Sequence, residues 1–220
     1  MLKPSIIAID GPVAAGKTTI GTLLADRLGY TFIDTGVMYR ALTWKALKLK
    51  IPLENEEKLG RLASDTRIEF TSAVSGRSVF VDGQDVTSEI NSLEVEAAVS
   101  LVAKVAGVRR VLVEQQRRLA QNGKIVMAGR DIGTTVLPHA ELKVYLEAST
   151  KERAKRRYLE IIGRGETVDY HFILSDLIRR DEIDSKRSIS PLEAASDARI
   201  INTDGLSPDQ VLSRILTMMN

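Results

Sequence analysis

A glycine-rich loop between a short apolar run and a helical pattern constrains the fold of this chain more than any other feature. The pattern G-x-x-x-x-G-K-[ST] is matched by Gly11-Pro12-Val13-Ala14-Ala15-Gly16-Lys17-Thr18. Residues 5–10 before it are typical of a strand buried on both faces, and a helical pattern begins at about Thr18. Loops of this kind surround phosphate oxygens with backbone N–H groups and a helix N-terminus. The chain is therefore predicted to bind a nucleoside triphosphate.

Each polar residue of the loop has a distinct expected role. Gly16 lets the backbone turn around the phosphates, Lys17 supplies a positive charge to the β- and γ-phosphates, and the Thr18 hydroxyl can bind magnesium. The predicted ATP-binding residues are Gly11, Pro12, Val13, Ala14, Ala15, Gly16, Lys17, Thr18 and Thr19. The loop alone does not say what happens to the γ-phosphate.

Strand and helix patterns alternate along most of the chain. Strands are predicted at residues 5–10, 30–33, 125–128, 142–146 and 198–202. Helices are predicted at 18–28, 37–50, 92–121 with a break near Gly107, 151–162, 168–184 and after Ser207-Pro208-Asp209. This order predicts a three-layer α/β fold around a mostly parallel five-stranded sheet.

One segment interrupts the alternation. Residues 67–70 and 78–81 are strand-like and are joined by Val74-Ser75-Gly76-Arg77, a hairpin signal. Residues 66–91 are therefore predicted to be part of an antiparallel insertion.

Composition excludes several classes of protein. The 220 residues include no cysteine, which excludes a disulfide scaffold, a zinc ribbon and a thiol nucleophile. The net charge is +2 and aromatic residues make up 5%, which argues against a nucleic-acid partner. No apolar run approaches the ~20 residues of a membrane helix, and no secretion signal is visible, so a cytoplasmic protein without a membrane partner is expected. His139 and His171 are separated and are expected at the surface.

Three uses of the triphosphate compete: phosphoryl transfer to a small molecule, a GTPase switch, and an ATPase coupled to mechanical work or nucleic acid. A switch usually reads guanine with an Asn-Lys-x-Asp run, which this sequence lacks. A motor ATPase usually ends a core strand in an acid, whereas residues 125–128 end in Ala128. Phosphoryl transfer to a small acceptor is favoured.

Arginines are placed where such a transfer needs them, because a guanidinium pairs with phosphate oxygens and stays charged. Arg40 and Arg130 lie close after predicted core strands, at the ligand edge of an open α/β sheet. Gly163-Arg164-Gly165 looks like the tip of a mobile flap. A dense group surrounds it, formed by Arg153, Arg156, Arg157, Arg164, Arg179, Arg180 and Arg187.

Taken together, the motifs resemble the bacterial cytidylate (CMP) kinases of the nucleoside monophosphate kinase group. The most specific matches are Tyr39-Arg40, Gly129-Arg130-Asp131-Ile132-Gly133-Thr134 and Asp184-Ser185-Lys186-Arg187. Other matches, in the family's order over nearly the whole length, are Asp34-Thr35-Gly36, Gly83-Gln84-Asp85-Val86-Thr87, Val108-Arg109 and Pro191-Leu192.

The resemblance implies magnesium-dependent transfer from ATP to CMP or dCMP by a monomer. It implies one P-loop kinase domain over residues 1–220, with a monophosphate-binding subdomain at 36–107 and a lid at 152–187. The predicted antiparallel insertion falls where the family carries a small sheet. Two alternatives stay open: a kinase for another acceptor such as UMP, AMP or a phosphorylated sugar, and a binding protein that uses ATP only to set its conformation.

The resemblance also implies roles for individual residues. Asp131 would accept from the cytosine amino group, and Ser100 and Arg109 would donate to the base atoms N3 and O2. The CMP-binding positions are Thr35, Arg40, Ser100, Arg109, Asp131, Asp184 and Arg187. Asp184 would accept from a sugar hydroxyl, Arg187 would donate to sugar or phosphate, and Arg40 and Arg130 would hold the acceptor phosphate. The catalytic positions are Lys17, Arg130, Arg153, Arg157 and Arg180.

The chain departs from the family pattern at three positions. Thr35 keeps a hydroxyl where some members have serine, and Val13 adds bulk to the loop. Ala128 stands where many members carry an acid near the magnesium waters, for which Asp10 and Asp34 are candidate substitutes. Magnesium is therefore expected to be held mainly by Thr18 and the phosphates.

Overall fold

Strands and helices alternate along most of the described chain, residues 3–73 and 76–219 of a computed structural model. The strands are β1 (Ile6–Asp10), β2 (Thr31–Asp34), β3 (Ile68–Ala73), β4 (Gly76–Val81), β5 (Gln84–Asp85), β6 (Ile125–Gly129), β7 (Leu142–Glu147) and β8 (Arg199–Asn202). The helices are α1 (Lys17–Leu28), α2 (Thr35–Lys48), α3 (Glu56–Ser64), α4 (Leu93–Ala103), α5 (Ala106–Leu119), α6 (Thr150–Gly163), α7 (Tyr170–Lys186) and α8 (Pro208–Thr217). The chain divides into two units, one from Met1–Asp34 with Leu119–Asn220 and the other from Thr35–Arg118.

The first unit contains the parallel sheet, with strand order β2-β6-β1-β7-β8. In this register Asp10 lies opposite Gly129, and Asp34 lies opposite Ala128. The carboxyl ends of β1, β2 and β6 therefore meet at one edge, where open α/β sheets bind ligands. The predicted α/β fold with a five-stranded parallel sheet is confirmed.

Apolar side chains on both faces of β1 hold this sheet to its helices. Ile7 and Ile9 lie on one face of β1, are fully buried and belong to a cluster with Leu24 of α1 and Ile215 of α8. On the other face of the strand, Ala8 is also fully buried. Burying one such side chain stabilises the fold by about 1.5–3 kcal/mol. The continuous apolar run of β1 follows from this burial on two sides.

Helices α6 and α7 form a pair with a separate apolar cluster. Ser149 caps α6 by accepting from Glu152 N, and Asp169 caps α7 by accepting from Phe172 N. The cluster consists of Ala154, Ile161, Ile173 and Leu177, with Val13 of the phosphate loop packed against it. The extra bulk noted at Val13 is thus used to pack the loop against the helix pair.

The second unit contains the small antiparallel sheet β3-β4-β5, which the sequence predicted as a hairpin insertion. Val79 and Val81 of β4 pack with Ala41 of α2. The hairpin residues Val74 and Ser75 lie outside the described residues. The limits of the monophosphate-binding subdomain, 36–107, and of the lid, 152–187, stay predictions.

Helix α3 was not predicted from the sequence. Asn55 caps it by accepting from Lys58 N, and Leu59 is fully buried. The break between α4 and α5 falls at Lys104 and Val105, before Gly107. Gly107 lies inside α5. A Cβ at this position would lie 3.1 Å from the Cα of Gly60 on α3. The glycine allows two helices to approach closely and does not end one.

Candidate active site

The phosphate loop has a conformation that depends on glycine. Gly11 has φ +149°, and a Cβ there would lie 2.1 Å from the backbone oxygen of Leu146 on β7. Gly16, with φ +94°, precedes α1 and provides no side-chain cap. An anion can therefore serve as the acceptor for the first N–H groups of α1. Ala14 has φ +59°, a left-handed conformation that costs about 1–2 kcal/mol.

Lys17 is buried at the start of α1, and its Nζ donates to the Pro12 carbonyl at 2.6 Å. Burial lowers the pKa of Lys17 well below its usual range, and the charge of Arg130 lowers it further. Asp34 and Asp10 oppose this decrease. A polyphosphate beside Nζ would favour the charged form of Lys17.

Thr18 and Asp34 bring two oxygen atoms together at the same helix start. The Thr18 hydroxyl donates to Oδ2 of Asp34 at 2.8 Å. Hydroxyl and carboxylate oxygens suit Mg²⁺, which also keeps water and phosphate ligands. Within residues 3–73 and 76–219, no group of three or more His, Cys, Asp or Glu could hold a metal ion. The Thr18 hydroxyl and the Asp34 carboxylate are oxygen ligands of the kind that Mg²⁺ binds together with phosphate and water.

Asp10 is the second acid named as a substitute for the one missing at Ala128. Both of its carboxylate oxygens accept from backbone, Oδ1 from Ile132 N and Oδ2 from Gly133 N, each at 2.7 Å. Burial raises the pKa of Asp10 to about 6, although these two hydrogen bonds act in the opposite direction. Asp34, beside Thr18, is therefore better placed than Asp10 to support a metal ion.

Two ion pairs connect the residues after β6 to the end of α7. Arg130 Nε lies 3.0 Å from Asp184 Oδ2, and Arg187 Nη2 lies 3.4 Å from Asp131 Oδ1. Asp131, Asp184 and Arg187 are buried. The structure thus brings together four of the predicted site residues, from sequence positions more than 50 residues apart.

Arg153 joins α6 to α7 and to the phosphate loop. Its Nη2 lies 2.6 Å from Asp181 Oδ2, and its Nη1 donates to the Val13 carbonyl at 3.2 Å. Further bonds reach the Ala148 carbonyl and the Thr150 hydroxyl, both at 3.1 Å. The guanidinium is buried. These contacts favour a role in holding the loop.

Arg157 and Arg180 lie on the same helix pair. Arg157 Nη1 donates to Glu160 Oε2 at 2.6 Å, and Arg180 Nη1 lies 3.9 Å from Asp176 Oδ2. Their approach to a phosphoryl group stays a prediction.

The remaining predicted residues lie in the second unit. Thr35 is the first residue of α2 and is buried. Arg40 follows on α2, and its Nε is buried with no hydrogen-bond partner within the described part of the chain. Ser100 of α4 and Arg109 of α5 are buried. The Arg109 guanidinium donates to the Ala103 carbonyl at 3.3 Å and lies 5.7 Å from the Tyr39 ring centroid.

Two features of the site were missed from the sequence. The Arg153 partner Asp181 is 28 positions away, and nothing in the local pattern of α7 distinguishes it from the neighbouring acids. The two backbone bonds of Asp10 reach 122 and 123 positions along the chain. Only the apolar surroundings of Asp10, at the end of a buried strand, marked it as unusual.

The family model described as cytidylate kinase matches residues 7–220. The chain belongs to the cytidylate kinase family. This confirms the resemblance carried by the motifs. A cytidylate kinase of Geobacillus sp. (strain WCH70) is 52% identical over 214 residues, which cover 97% of this chain and 96% of the relative. A cytidylate kinase of Bacillus subtilis (strain 168) is 47% identical over 216 residues, which cover 98% of this chain and 96% of the relative.

Solved structures share the fold of this cytidylate kinase family member at low sequence identity. A gluconokinase from Sinorhizobium meliloti 1021 aligns with TM-score 0.52 and 13% identity over 100% of this chain and 93% of its own. A shikimate kinase from Bacteroides thetaiotaomicron aligns with TM-score 0.50 and 17% identity over 97% of this chain and 96% of its own. Both support the kinase fold. Among the described residues, no helix combines the length and the apolar character needed to cross a bilayer.

Proposed function

We propose that this cytidylate kinase family member transfers the γ-phosphoryl group of ATP to CMP or dCMP. The observation that carries the proposal is the buried Asp131 carboxylate beside Arg187, after the carboxyl end of β6. The cytosine N4 amino group is a donor and suits a carboxylate, whereas uracil O4 is a second acceptor. Asp131 thereby selects cytosine over uracil.

The donor nucleotide binds at the phosphate loop. Backbone N–H groups of the loop and of the first turn of α1 bind the phosphates, and Lys17 Nζ turns from the Pro12 carbonyl toward the β- and γ-phosphates. An oxygen of the acceptor phosphate forms a bond to the γ-phosphorus while the bond to the β–γ bridging oxygen breaks, releasing ADP. That acceptor oxygen is already an anion near neutral pH, so the reaction requires positioning and no general base.

Further side chains are proposed to bind the acceptor. Arg40 and Arg130 bind its phosphate, and the buried Nε of Arg40 supports this because a polyanion would supply an acceptor. Asp184 accepts from a sugar hydroxyl while it orients Arg130. The assignments to the remaining positions follow the family: Thr35, Ser100, Arg109 and Arg187.

Arginines of α6 and α7 are proposed to act on the transferring phosphoryl group as parts of a lid. Arg157 and Arg180 stabilise its negative charge. Arg153 acts through the loop, since its guanidinium already contacts Val13 and Asp181.

Magnesium is proposed to bind at Thr18, supported by Asp34. When bound, the ion neutralises charge on the β- and γ-phosphates. Thr18 supplies a ligand oxygen, and Asp34 holds that hydroxyl and orients water.

Replacing Thr18 with alanine should raise the magnesium concentration for half-maximal activity by about tenfold, because one oxygen ligand and the contact to Asp34 are lost. The measurement is the initial rate across a magnesium titration at saturating ATP and CMP. The matched control is Thr22→Ala, about one turn further along α1 and outside the predicted ATP-binding residues, which should keep the wild-type dependence. An unchanged magnesium dependence in Thr18→Ala would contradict this site.

A coupled assay of ADP release with CMP, dCMP, UMP and AMP tests the proposed function. CMP or dCMP should give the highest kcat/KM. Faster turnover with UMP or AMP would show a kinase for another acceptor. Absence of turnover with every acceptor, while ATP still binds, would favour a conformational ATP-binding protein.

Light scattering tests the monomer that the family implies, and cell fractionation tests its cytoplasmic location.

A further inference from the structure

The turn that carries Asp131 is capped from a different strand. Residues Ile132–Val136 form a π-helical turn, in which the Asp131 carbonyl accepts from Thr135 N at 2.9 Å and Val136 N at 3.1 Å. Asp131 occupies the N-cap position, but its side chain makes no capping hydrogen bond. An aspartate at an N-cap usually accepts from the first N–H groups of its own helix. Here those N–H groups are bound by Asp10.

The contact between Asp10 and this turn is short and buried. Asp10 is 4% exposed, and each of its oxygens accepts one backbone N–H at 2.7 Å. A Cβ on Gly133 would lie 3.3 Å from Asp10 Oδ2 and 3.1 Å from Lys143 Cδ. Glycine at 133 therefore allows the carboxylate and the lysine stem to reach the turn.

We propose that Asp10 is a positioning residue for base selection, because it caps the Ile132–Val136 turn and so leaves the Asp131 carboxyl directed at Arg187. The inference rests on the proposed role of Asp131 in recognising cytosine. If the Asp10 carboxylate were removed, the N–H groups of Ile132 and Gly133 would lack their acceptor. The nearest carboxylate in sequence is that of Asp131, and its rotation toward them would withdraw it from Arg187 and from the acceptor base.

The ionised form of Asp10 is the one that accepts both hydrogen bonds. The titratable and charged groups that face it are Lys17, Asp131, Tyr145 of β7 and, through its stem at Gly133, Lys143. Burial raises the pKa of Asp10 to about 6. Below that pH a protonated carboxyl has one donor O–H and cannot accept from both N–H groups as the carboxylate does. Base selection should therefore weaken as the pH falls through about 6.

Asp10→Asn is the direct test, because asparagine keeps the shape but offers one acceptor oxygen and places an NH2 group against a backbone N–H. We expect the ratio of kcat/KM for CMP to that for UMP to fall by about tenfold, the equivalent of one lost hydrogen bond. The KM for ATP should change by less than about twofold, far below that tenfold change. The matched control is Asp204→Asn, whose carboxylate also accepts from a backbone N–H, that of Ser149 at 2.9 Å. This control should keep the wild-type ratio.

A double-mutant cycle distinguishes positioning from a general structural effect. If Asp10 acts through Asp131, adding Asp10→Asn to Asp131→Asn should leave the CMP-to-UMP ratio of the single Asp131→Asn variant unchanged. If the ratio of the double variant falls further, by the same factor as in the single Asp10→Asn variant, the inference is overturned. An unchanged CMP-to-UMP ratio in the single Asp10→Asn variant would also overturn it. A wild-type enzyme without preference for CMP would refute the proposed function itself, before Asp10 is considered.

The wild-type protein provides the test if Asp10→Asn does not fold. The CMP-to-UMP ratio is measured between about pH 5 and pH 8, which spans the raised pKa of Asp10, about 6. Both acceptors carry the same phosphate, so its titration cancels in the ratio. A ratio that declines below about pH 6 supports the inference, and the decline should be absent in Asp131→Asn. A flat wild-type ratio would overturn it.

Discussion

Replacing Lys17 with methionine should lower kcat by about a thousandfold, because the positive charge directed at the β- and γ-phosphates is lost. Methionine keeps the unbranched stem, so packing at the start of α1 is preserved. The measurement is single-turnover phosphoryl transfer with saturating ATP and CMP, which separates chemistry from product release. Lys48→Met, an exposed lysine of α2 that lies over the Trp44 ring, is the control and should retain wild-type kcat.

The stability of the Lys17 variant makes this result interpretable. Burial already disfavours the charged lysine in the nucleotide-free protein. Methionine at this position should therefore leave the free energy of unfolding unchanged or slightly increased. A folded Lys17→Met protein with wild-type kcat would remove Lys17 from the catalytic residues.

Replacing Arg187 with methionine should have the largest effect on stability, a loss of about 3–5 kcal/mol in the free energy of unfolding. The change removes the positive partner of the buried Asp131 carboxylate, with which Arg187 forms a pair at 3.4 Å. Urea unfolding at pH 7.5 measures the loss. The kcat/KM for CMP should fall as well, because Asp131 loses the group that holds it.

A second substitution tests the cause of this loss. Adding Asp131→Asn to Arg187→Met removes the buried charge and should restore part of the lost stability without restoring preference for CMP. The control is Lys186→Met, which breaks an exposed pair with Glu182 and should change stability by less than about 0.5 kcal/mol. A similarly small effect in Arg187→Met would show that the pair with Asp131 does not stabilise the fold.

The sheet and the phosphate loop could be predicted because their signals are local. The apolar run before Gly11 is buried on both faces in the structure, and the loop motif needs only eight consecutive residues. The antiparallel pair β3 and β4 was also visible from two short runs around a turn. Helix α3 was missed because Gly60 weakens its pattern, although Asn55 and Leu59 carried a cap and a core signal.

The contacts that orient the site could not be predicted in the same way. The Asp131–Arg187 pair joins residues 56 positions apart, and Arg153 meets Val13 across 140 positions. A sequence pattern shows that these residues are charged, but only the packed chain decides which of them meet. Arg153 illustrates the difference. An arginine at this position predicted contact with phosphate, whereas its guanidinium contacts a backbone carbonyl and a carboxylate in the structure.

The bonds of Arg153 couple the phosphate loop to the helix pair. One guanidinium of α6 binds both the Val13 carbonyl and Asp181 of α7, so a local opening that displaces α6 breaks its contacts to the loop and to α7 together. The amide protons of these three segments should then exchange with deuterium as one cooperative unit, and ATP should slow their exchange together. On warming, affinity for the nucleotide should be lost before the central sheet melts. The contacts of Arg153 with the loop and α7, and not the apolar core of the sheet, would then set the highest temperature at which the enzyme works.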